Sequence, residues 1–255
     1  MIPGNNEFMK IRLLSFLIFI FALFLILQPK AFSQDDIDRA AWGWIRVDGN
    51  LDDLSSEESR QTKLPYSIEW QYRLKNDGQD FSQLILRPML GYNLDENQTL
   101  WVGYALITQE RQGDIVNEQR IFQMITFKGK VPTTPIVYLA SVRLEERTLE
   151  NYEEFNYRLR QSLRLALPLV ENKNFKLSLI FQDEIFLRLN KTQWTGDSGF
   201  DQNRLYIGLE YQTKIRNTPI SFNAGYMNVY SPTKTTHLIN VGVKINITRA
   251  RPRKH

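Results

Sequence analysis

The chain has 255 residues, of which 42% are hydrophobic and 12% aromatic, and it carries a formal net charge of +4 with no cysteine. Without cysteine it has no disulfide, no thiolate nucleophile, no cysteine-ligated metal site and no lipoprotein anchor. The charge is too small for a nucleic-acid binder, and the length suits one large β domain.

The first segment has the pattern of an export signal. Lys10 and Arg12 precede an apolar run at residues 13–27. That run is shorter than the roughly 20 residues of a membrane-spanning helix, which favours a cleaved signal over a retained anchor. Met9 directly precedes the basic pair, so translation begins at either Met1 or Met9.

A cleavage site follows the apolar run. Ala31 and Ser33 place small side chains at the two positions that signal peptidase reads. We therefore expect residues 1–33 to be a cleaved signal peptide and the mature chain to begin near Gln34. Three basic residues and one acidic residue leave with this segment, so the formal net charge falls from +4 to +2.

The rest of the chain is predicted to form one β-barrel domain at residues 34–248, followed by a basic tail at 249–255. Segments of alternating polarity are separated by turn residues, for example at 76–78 and 231–233. The candidate strands are 40–49, 63–75, 80–93, 98–110, 116–127, 135–147, 153–168, 174–190, 202–214, 219–230 and 236–248.

Alternation is clear in the segment 153–168. Leu159 and Leu163 lie on one face of a strand with this period, and Arg158 and Arg160 lie on the other. The separation of apolar and charged residues indicates a strand with two different environments.

Other segments follow the period less well. Segments 98–110 and 116–127 alternate poorly, so their faces stay unassigned. Asp183 falls on the apolar face of 174–190, which predicts a bulge in that strand.

The number of candidate strands is odd, whereas bacterial membrane barrels have an even number. The two longest connections, 50–62 and 189–201, also fall on opposite sides of the sheet. We therefore expect one strand between them to have been split, merged or missed, and a barrel of about 10–12 strands.

Alternation does not say which face is inside. A soluble barrel points its apolar face inward, and a membrane barrel points it outward. The candidate strands reach the roughly 9–11 residues that a membrane strand needs, and aromatic residues near their ends fit an interfacial girdle. Those aromatic residues are Tyr66, Trp70, Tyr92, Trp101, Tyr138, Tyr226 and Tyr230. The sequence thus predicts an antiparallel transmembrane β-barrel in a bacterial outer membrane, with outer-membrane lipid as its partner.

With the polar face inward, the barrel interior is rich in arginine and glutamate. Arginine forks pair well with carboxylates in a confined space, which favours a structural ion-pair network over an arginine-lined path for anionic solutes. The residues of this predicted network are Glu69, Arg73, Arg87, Arg143, Glu145, Arg147, Glu154, Arg158, Arg160, Arg164, Glu184, Arg188, Arg204 and Glu210.

No catalytic, cofactor or metal site is predicted. Some outer-membrane barrels modify lipids with a serine that a histidine activates, and here His237 follows Ser231 across a turn. We find no third group to orient the imidazole. Adjacent carboxylates such as Asp183 and Glu184 point to opposite faces of a strand, which makes them poor glycosidase pairs.

Four short sequence segments of the domain are similar to segments of one known family. They are RPMLGY at residues 87–92, LWVGY at 100–104, FDQNR at 200–204 and GYMNVY at 225–230. In order and spacing they resemble the DUF2490 family. The resemblance spans nearly the whole mature chain and implies an outer-membrane barrel with a cleaved signal peptide, and it brings no established activity.

Three functions are compatible with these observations. The first is a non-enzymatic outer-membrane barrel, either a narrow channel or a closed structural protein. The second is a lipid-modifying membrane enzyme. The third is a soluble periplasmic barrel that binds an apolar ligand. The sequence favours the first and identifies no protein partner.

Overall fold

A computed structural model describes residues 37–51 and 64–247, and within these residues eleven strands close into a barrel. The predicted signal peptide and the basic tail lie outside the described residues. The strands are β1 (Ile37–Asn50), β2 (Pro65–Lys75), β3 (Asp80–Asn93), β4 (Gln98–Arg111), β5 (Asp114–Lys130), β6 (Val137–Leu149), β7 (Asn156–Glu171), β8 (Phe175–Arg188), β9 (Gly199–Ile215), β10 (Thr218–Tyr230) and β11 (Thr235–Ile247). The prediction of an all-β barrel is confirmed.

The barrel closes through a parallel pair. β1 lies beside β11 with Ile37 opposite Thr235 and Gly49 opposite Ile247, and the other neighbouring strands in the described residues pair antiparallel. A meander with an odd number of strands has its first and last strands running the same way, so this pair must be parallel. The expectation of an even strand number, with one strand split or missed, is therefore wrong.

The connections divide between two ends of the barrel. One end carries residues 76–79, 112–113, 150–155, 189–198 and 231–234, and we call it the Trp194 end. The other carries 94–97, 131–136, 172–174 and 216–217, together with the end of β1 and the start of β2, and we call it the Lys176 end. β1 thus ends at the Lys176 end and β8 at the Trp194 end, so the two long connections that follow them begin at opposite ends.

Tight turns explain why the hairpins close where they do. Gln112 and Gly113 have φ values of 56° and 93°, and Arg216 and Asn217 have values of 48° and 70°. Positive φ at both central residues matches the twist of the flanking strands in a two-residue hairpin.

Burial alternates along the strands with apolar residues exposed and polar residues buried. On β9, Ile207 is 50% exposed and Leu209 46%, whereas Tyr206 is 5% and Glu210 9% exposed. The outward face of the barrel therefore carries large aliphatic and aromatic side chains, and its interior carries most of the charge. Trp101 is an exception to the predicted girdle, because its indole Nε1 donates to Thr126 Oγ1 on the inward face of β5.

Part of the wall formed by β3, β4 and β5 is apolar on both faces. Ile85, Ala105 and Ile107 pack together inside and are at most 1% exposed, while Leu106 and Ile121 face outward. An apolar interior next to an apolar exterior removes the period-2 signal, which is why the faces of β4 and β5 could not be assigned from sequence.

Asp183 keeps its place on the outward face. The pairing of β8 with β9 shifts register only beyond it, where Phe186 is opposite Gln202 and Leu187 is opposite Phe200. The bulge predicted for this strand therefore does not turn Asp183 inward. Instead, its Oδ1 accepts a hydrogen bond from the Asn203 amide at 2.5 Å, which satisfies the carboxylate on the outer wall.

Within the described strands and connections, the structure contains no helix long and apolar enough to cross a membrane.

Candidate functional site

The structure brings the predicted charged residues together inside the barrel, with Glu154 as the exception. Glu154 belongs to the exposed 150–155 connection, because β7 begins at Asn156 and not at residue 153. Its carboxylate accepts a hydrogen bond from the Gln193 backbone N–H at 2.6 Å. It therefore joins two connections at the Trp194 end and is not part of the interior network.

Glu145 has three arginines around it. It is 1% exposed, and Oε2 accepts from Arg158 Nη2 at 2.6 Å. Arg143 Nη1 lies 3.5 Å from Oε1, and Arg120 Nη1 lies 3.8 Å from Oε2. One buried carboxylate thus compensates charge from three strands, β5, β6 and β7.

Further ion pairs surround Glu145. Glu184 Oε1 accepts from Arg160 Nη2 at 2.5 Å, and Glu69 Oε1 accepts from Arg87 Nη1 at 2.6 Å. Arg188 lies at the rim, where its guanidinium donates to the backbone carbonyls of Thr195 and Phe200. Arginine is held here by both carboxylates and backbone oxygens.

Sequence reasoning missed Glu118 and Arg120. Glu118 is 2% exposed, and its Oε1 accepts from Arg120 Nε at 2.6 Å and from Arg147 Nε at 2.7 Å. Both residues lie on β5, whose faces the sequence left unassigned. The spacing of two between Glu118 and Arg120 would have placed them together once β5 was given a face.

Two cavities are present inside the part of the barrel that the structure describes, one at each end. The Trp194-end cavity has a volume of about 290 Å³ and the Lys176-end cavity one of about 320 Å³. No described residue lines both cavities.

A layer of buried side chains separates the cavities. On β8, Ile180 and Glu184 lie between Ser178, which lines the Lys176-end cavity, and Phe186, which lines the Trp194-end cavity. Ile180 is 0% and Glu184 4% exposed. The inward residues of the next strands continue this layer, namely Tyr206, Asn223, Leu238 and Asn240.

The 189–198 connection folds over one mouth of the barrel. Trp194 is 5% exposed, and its backbone carbonyl accepts from Arg111 Nη2 of β4 at 2.6 Å. Its indole lies 5.0 Å from the Arg147 guanidinium of β6. Neither β4 nor β6 is adjacent to β8 in the barrel. These contacts therefore place the connection across the opening.

The same connection contains an exposed ion pair. Lys191 Nζ lies 2.8 Å from Asp197 Oδ1. This hydrogen bond lowers the pKa of the Asp197 carboxyl and raises the pKa of the Lys191 ammonium.

His237 has contacts on the outward face of the barrel. Its Nδ1 lies 2.5 Å from Tyr226 Oη and 3.4 Å from Asn228 Nδ2. The Ser231 hydroxyl donates to the Lys234 carbonyl at 2.9 Å. Among the described residues, no group of three or more histidines and carboxylates is arranged to hold a metal ion.

The comparisons with known proteins agree with the resemblance. The family described as Protein of unknown function (DUF2490) matches residues 40–240, which covers nearly all of the described barrel. An uncharacterised protein of Methylorubrum extorquens is 32% identical over 175 residues, covering 68% of this chain and 74% of that protein. No solved structure matches. The chain belongs to the DUF2490 family of proteins of unknown function.

Proposed function

We propose that this protein is a bacterial outer-membrane β-barrel whose interior is closed to diffusing solutes, and that it acts as a structural barrel, not as an open channel or an enzyme. One observation carries the location: the barrel buries charged residues and exposes large apolar ones. A soluble barrel with that polarity would present a large apolar surface to water, which soluble monomers avoid.

The dimensions fit a bilayer. The shortest described strand, β2, has 11 residues, and a membrane strand needs about 9–11. A closed barrel leaves no unpaired strand edge in lipid. Tyr66 and Tyr138 of the predicted girdle lie on outward faces near the Lys176 end, and Tyr226 lies outward nearer the Trp194 end.

The interior supports closure over an open path. The layer through Ile180, Glu184 and Tyr206 is at most 5% exposed and lies between the two cavities. Ion pairs held at hydrogen-bond distance make this layer rigid. A solute would have to break the ion pair between Arg160 and Glu184 and displace the packed side chains beside it to pass.

The polarity also weighs against a soluble barrel that binds an apolar ligand. Such a protein needs an apolar cavity in its interior. The Trp194-end cavity is lined by seven arginines of the described chain, and the Lys176-end cavity includes Arg164, Lys176 and Lys244.

Heat-modifiability in isolated envelope membranes tests the location. A folded barrel in unheated detergent migrates differently from the boiled sample, and we expect this shift in the outer-membrane fraction. Recovery in the soluble periplasmic fraction without a shift would reject the proposal and redirect the search to a soluble ligand.

Planar-bilayer conductance tests closure. We expect no steady current from the wild type at moderate voltage. A variant with Glu184→Ala and Arg160→Ala, which removes a pair from the separating layer, is the positive control. Steady anion-selective current from the wild type would replace the closed barrel with a channel. A change in lipid mass on expression would favour the lipid-modifying enzyme.

A further inference from the structure

The Trp194-end cavity has a surplus of positive charge. Its described lining includes seven arginines but only two carboxylates, Glu118 and Asp201. Three more carboxylates lie behind the lining, and they are Glu69, Glu145 and Glu184. Arg143 and Arg188 also lie behind the lining, beside Glu145 and Asp201. Nine guanidinium groups therefore face five carboxylates, which leaves a formal surplus of four positive charges.

Five of the seven arginines are accounted for by close ion pairs. Each has a nitrogen between 2.5 and 2.7 Å from a carboxylate oxygen. They are Arg87, Arg120, Arg147, Arg158 and Arg160. Among the seven arginines of the lining, Arg73 and Arg204 are the two without such a close pair.

Arg73 is buried against neutral partners. It is 7% exposed, and its hydrogen bonds run to the Gln71 and Gln83 side-chain oxygens at 2.6–3.2 Å. Among the described residues, no carboxylate oxygen lies within 4.0 Å of its guanidinium. Its charge is thus desolvated without a counter-charge in contact.

The Arg204 guanidinium has weaker polar contacts than that of Arg73. Its Nε is buried without a hydrogen-bond partner in the described structure. Its Nη1 lies 4.0 Å from Glu184 Oε2, beyond hydrogen-bond distance, and that carboxylate is already bonded to Arg160.

The two arginines share one aromatic ring. The Arg73 guanidinium carbon lies 3.9 Å and that of Arg204 5.1 Å from the centre of a Trp42 ring. Trp42 therefore brings together the two lining arginines that have no carboxylate at hydrogen-bond distance, although they come from β2 and β9. Arginine does not lose its proton in proteins, so the charge cannot be removed by titration.

We propose that the Trp194-end cavity binds a phosphate-type dianion between Arg73 and Arg204 beside Trp42. Two buried cations without a carboxylate at hydrogen-bond distance are costly, and a dianion compensates the two charges of Arg73 and Arg204. The planar fork of arginine matches the oxygens of phosphate. A volume of about 290 Å³ is at the lower limit for ligand pockets, so the ligand is compact.

This inference needs only the interior of the barrel and is independent of the membrane location. Calorimetry with inorganic phosphate at pH 8, on full-length folded protein in detergent at constant chloride, provides the test. We expect saturable binding by the wild type. Arg73→Gln and Arg204→Gln each remove charge-assisted contacts and should weaken binding about tenfold or more.

Arg164→Gln is the matched control, since Arg164 is paired to Glu210 and lines the other cavity. It makes the same chemical change and should bind phosphate like the wild type. Arg204→Lys keeps the charge without the fork and should fall between the wild type and Arg204→Gln. Equal weakening by Arg164→Gln would overturn the assignment of the site.

The wild type alone also decides the question if a variant does not fold. Phosphate should raise the temperature at which the folded electrophoretic band converts to the unfolded one. Absence of both saturable binding and this rise, in protein that still shows heat-modifiability, would overturn the anion site and leave the barrel proposal standing.

A second titrant distinguishes the source of the phosphate. Dihexanoyl phosphatidic acid carries the same group on a short lipid. Binding at least tenfold tighter than inorganic phosphate, lost in Arg204→Gln, would assign the site to a lipid headgroup. Similar or weaker binding would assign it to a soluble phosphate or phosphate ester. Both outcomes keep the phosphate chemistry at Arg73 and Arg204.

Discussion

The two ends of the barrel interior compensate their cations in different ways. At the Lys176 end, each cation that lines the cavity has a carboxylate close by. Arg164 lies 2.6 Å from Glu210, and Lys176 lies 3.0 Å from Glu171. Lys244 lies 3.2 Å from Asp48. Each cation of the lining at this end is therefore compensated locally, although Asp48 also pairs with Arg46 at 2.9 Å.

At the Trp194 end, the carboxylates are fewer than the arginines, and one carboxylate serves several cations. Glu145 and Glu118 each contact more than one guanidinium. Shared carboxylates make every member of the network depend on the others. Charge therefore serves local stability at the Lys176 end and is concentrated, with a surplus, at the Trp194 end.

The largest expected effect comes from removing the shared carboxylate. Glu145→Gln leaves Arg158, Arg143 and Arg120 without their common partner in a buried site, which should lower the free energy of unfolding by about 3–5 kcal/mol. Urea unfolding in detergent micelles, followed by tryptophan fluorescence, measures this change.

Glu210→Gln is the counterpart at the Lys176 end. Glu210 is paired with a single arginine beside an open cavity, so its loss should cost only about 1–2 kcal/mol. Equal losses in the two variants would mean that sharing adds nothing and that the two ends are energetically alike.

The fold was largely predictable because period-2 alternation and turn residues repeat along the chain. β3 lies at the predicted residues 80–93, and most other strands differ by a few residues at their ends. The parallel closure was not predictable, because no local pattern in β1 or β11 reports which strand lies beside them. The even-number rule then argued against a strand count that was right.

The candidate site was predictable only where a strand had two distinct faces. β7 alternates clearly, so Arg158 and Arg160 were identified from sequence. β5 carries apolar residues such as Phe122 on its inward face, so Glu118 and Arg120 were missed. Trp42 has no local signal, because its role follows from contacts with β2 and β9 across the barrel.

The cover over the Trp194 end should also contribute strongly. Trp194→Ala removes a buried indole that packs on Arg147, and we expect a loss of about 3 kcal/mol with faster proteolysis of the 189–198 connection. Limited proteolysis and urea unfolding provide the readouts. Gln193→Ala changes an exposed neighbour and should stay within about 0.5 kcal/mol of the wild type. If both variants behave alike, the connection does not act as a cover.

A substitution at Gly242 tests how tightly the layer between the two cavities is packed. A Cβ at Gly242 would lie 2.0 Å from the Trp44 ring, whose indole donates to Asn240. Gly242→Ala should therefore cost about 1–3 kcal/mol by overpacking. Gly43→Ala has its first neighbour at 4.0 Å and serves as the matched control. An unchanged midpoint of urea unfolding for Gly242→Ala would show that the side chains of this layer rearrange at little cost in free energy.

The smallest effect is expected at the rim of the Lys176 end. Lys176 and Glu171 have side chains that are 29% and 62% exposed, and an exposed pair is worth about 0–1 kcal/mol. Lys176→Ala should therefore shift the urea midpoint little and leave phosphate affinity unchanged, because its charge is compensated locally and lies at the other end. A clear loss of phosphate affinity in this variant would show that charges at one end influence binding at the other, and the distinction between a locally paired end and a cationic end would no longer hold.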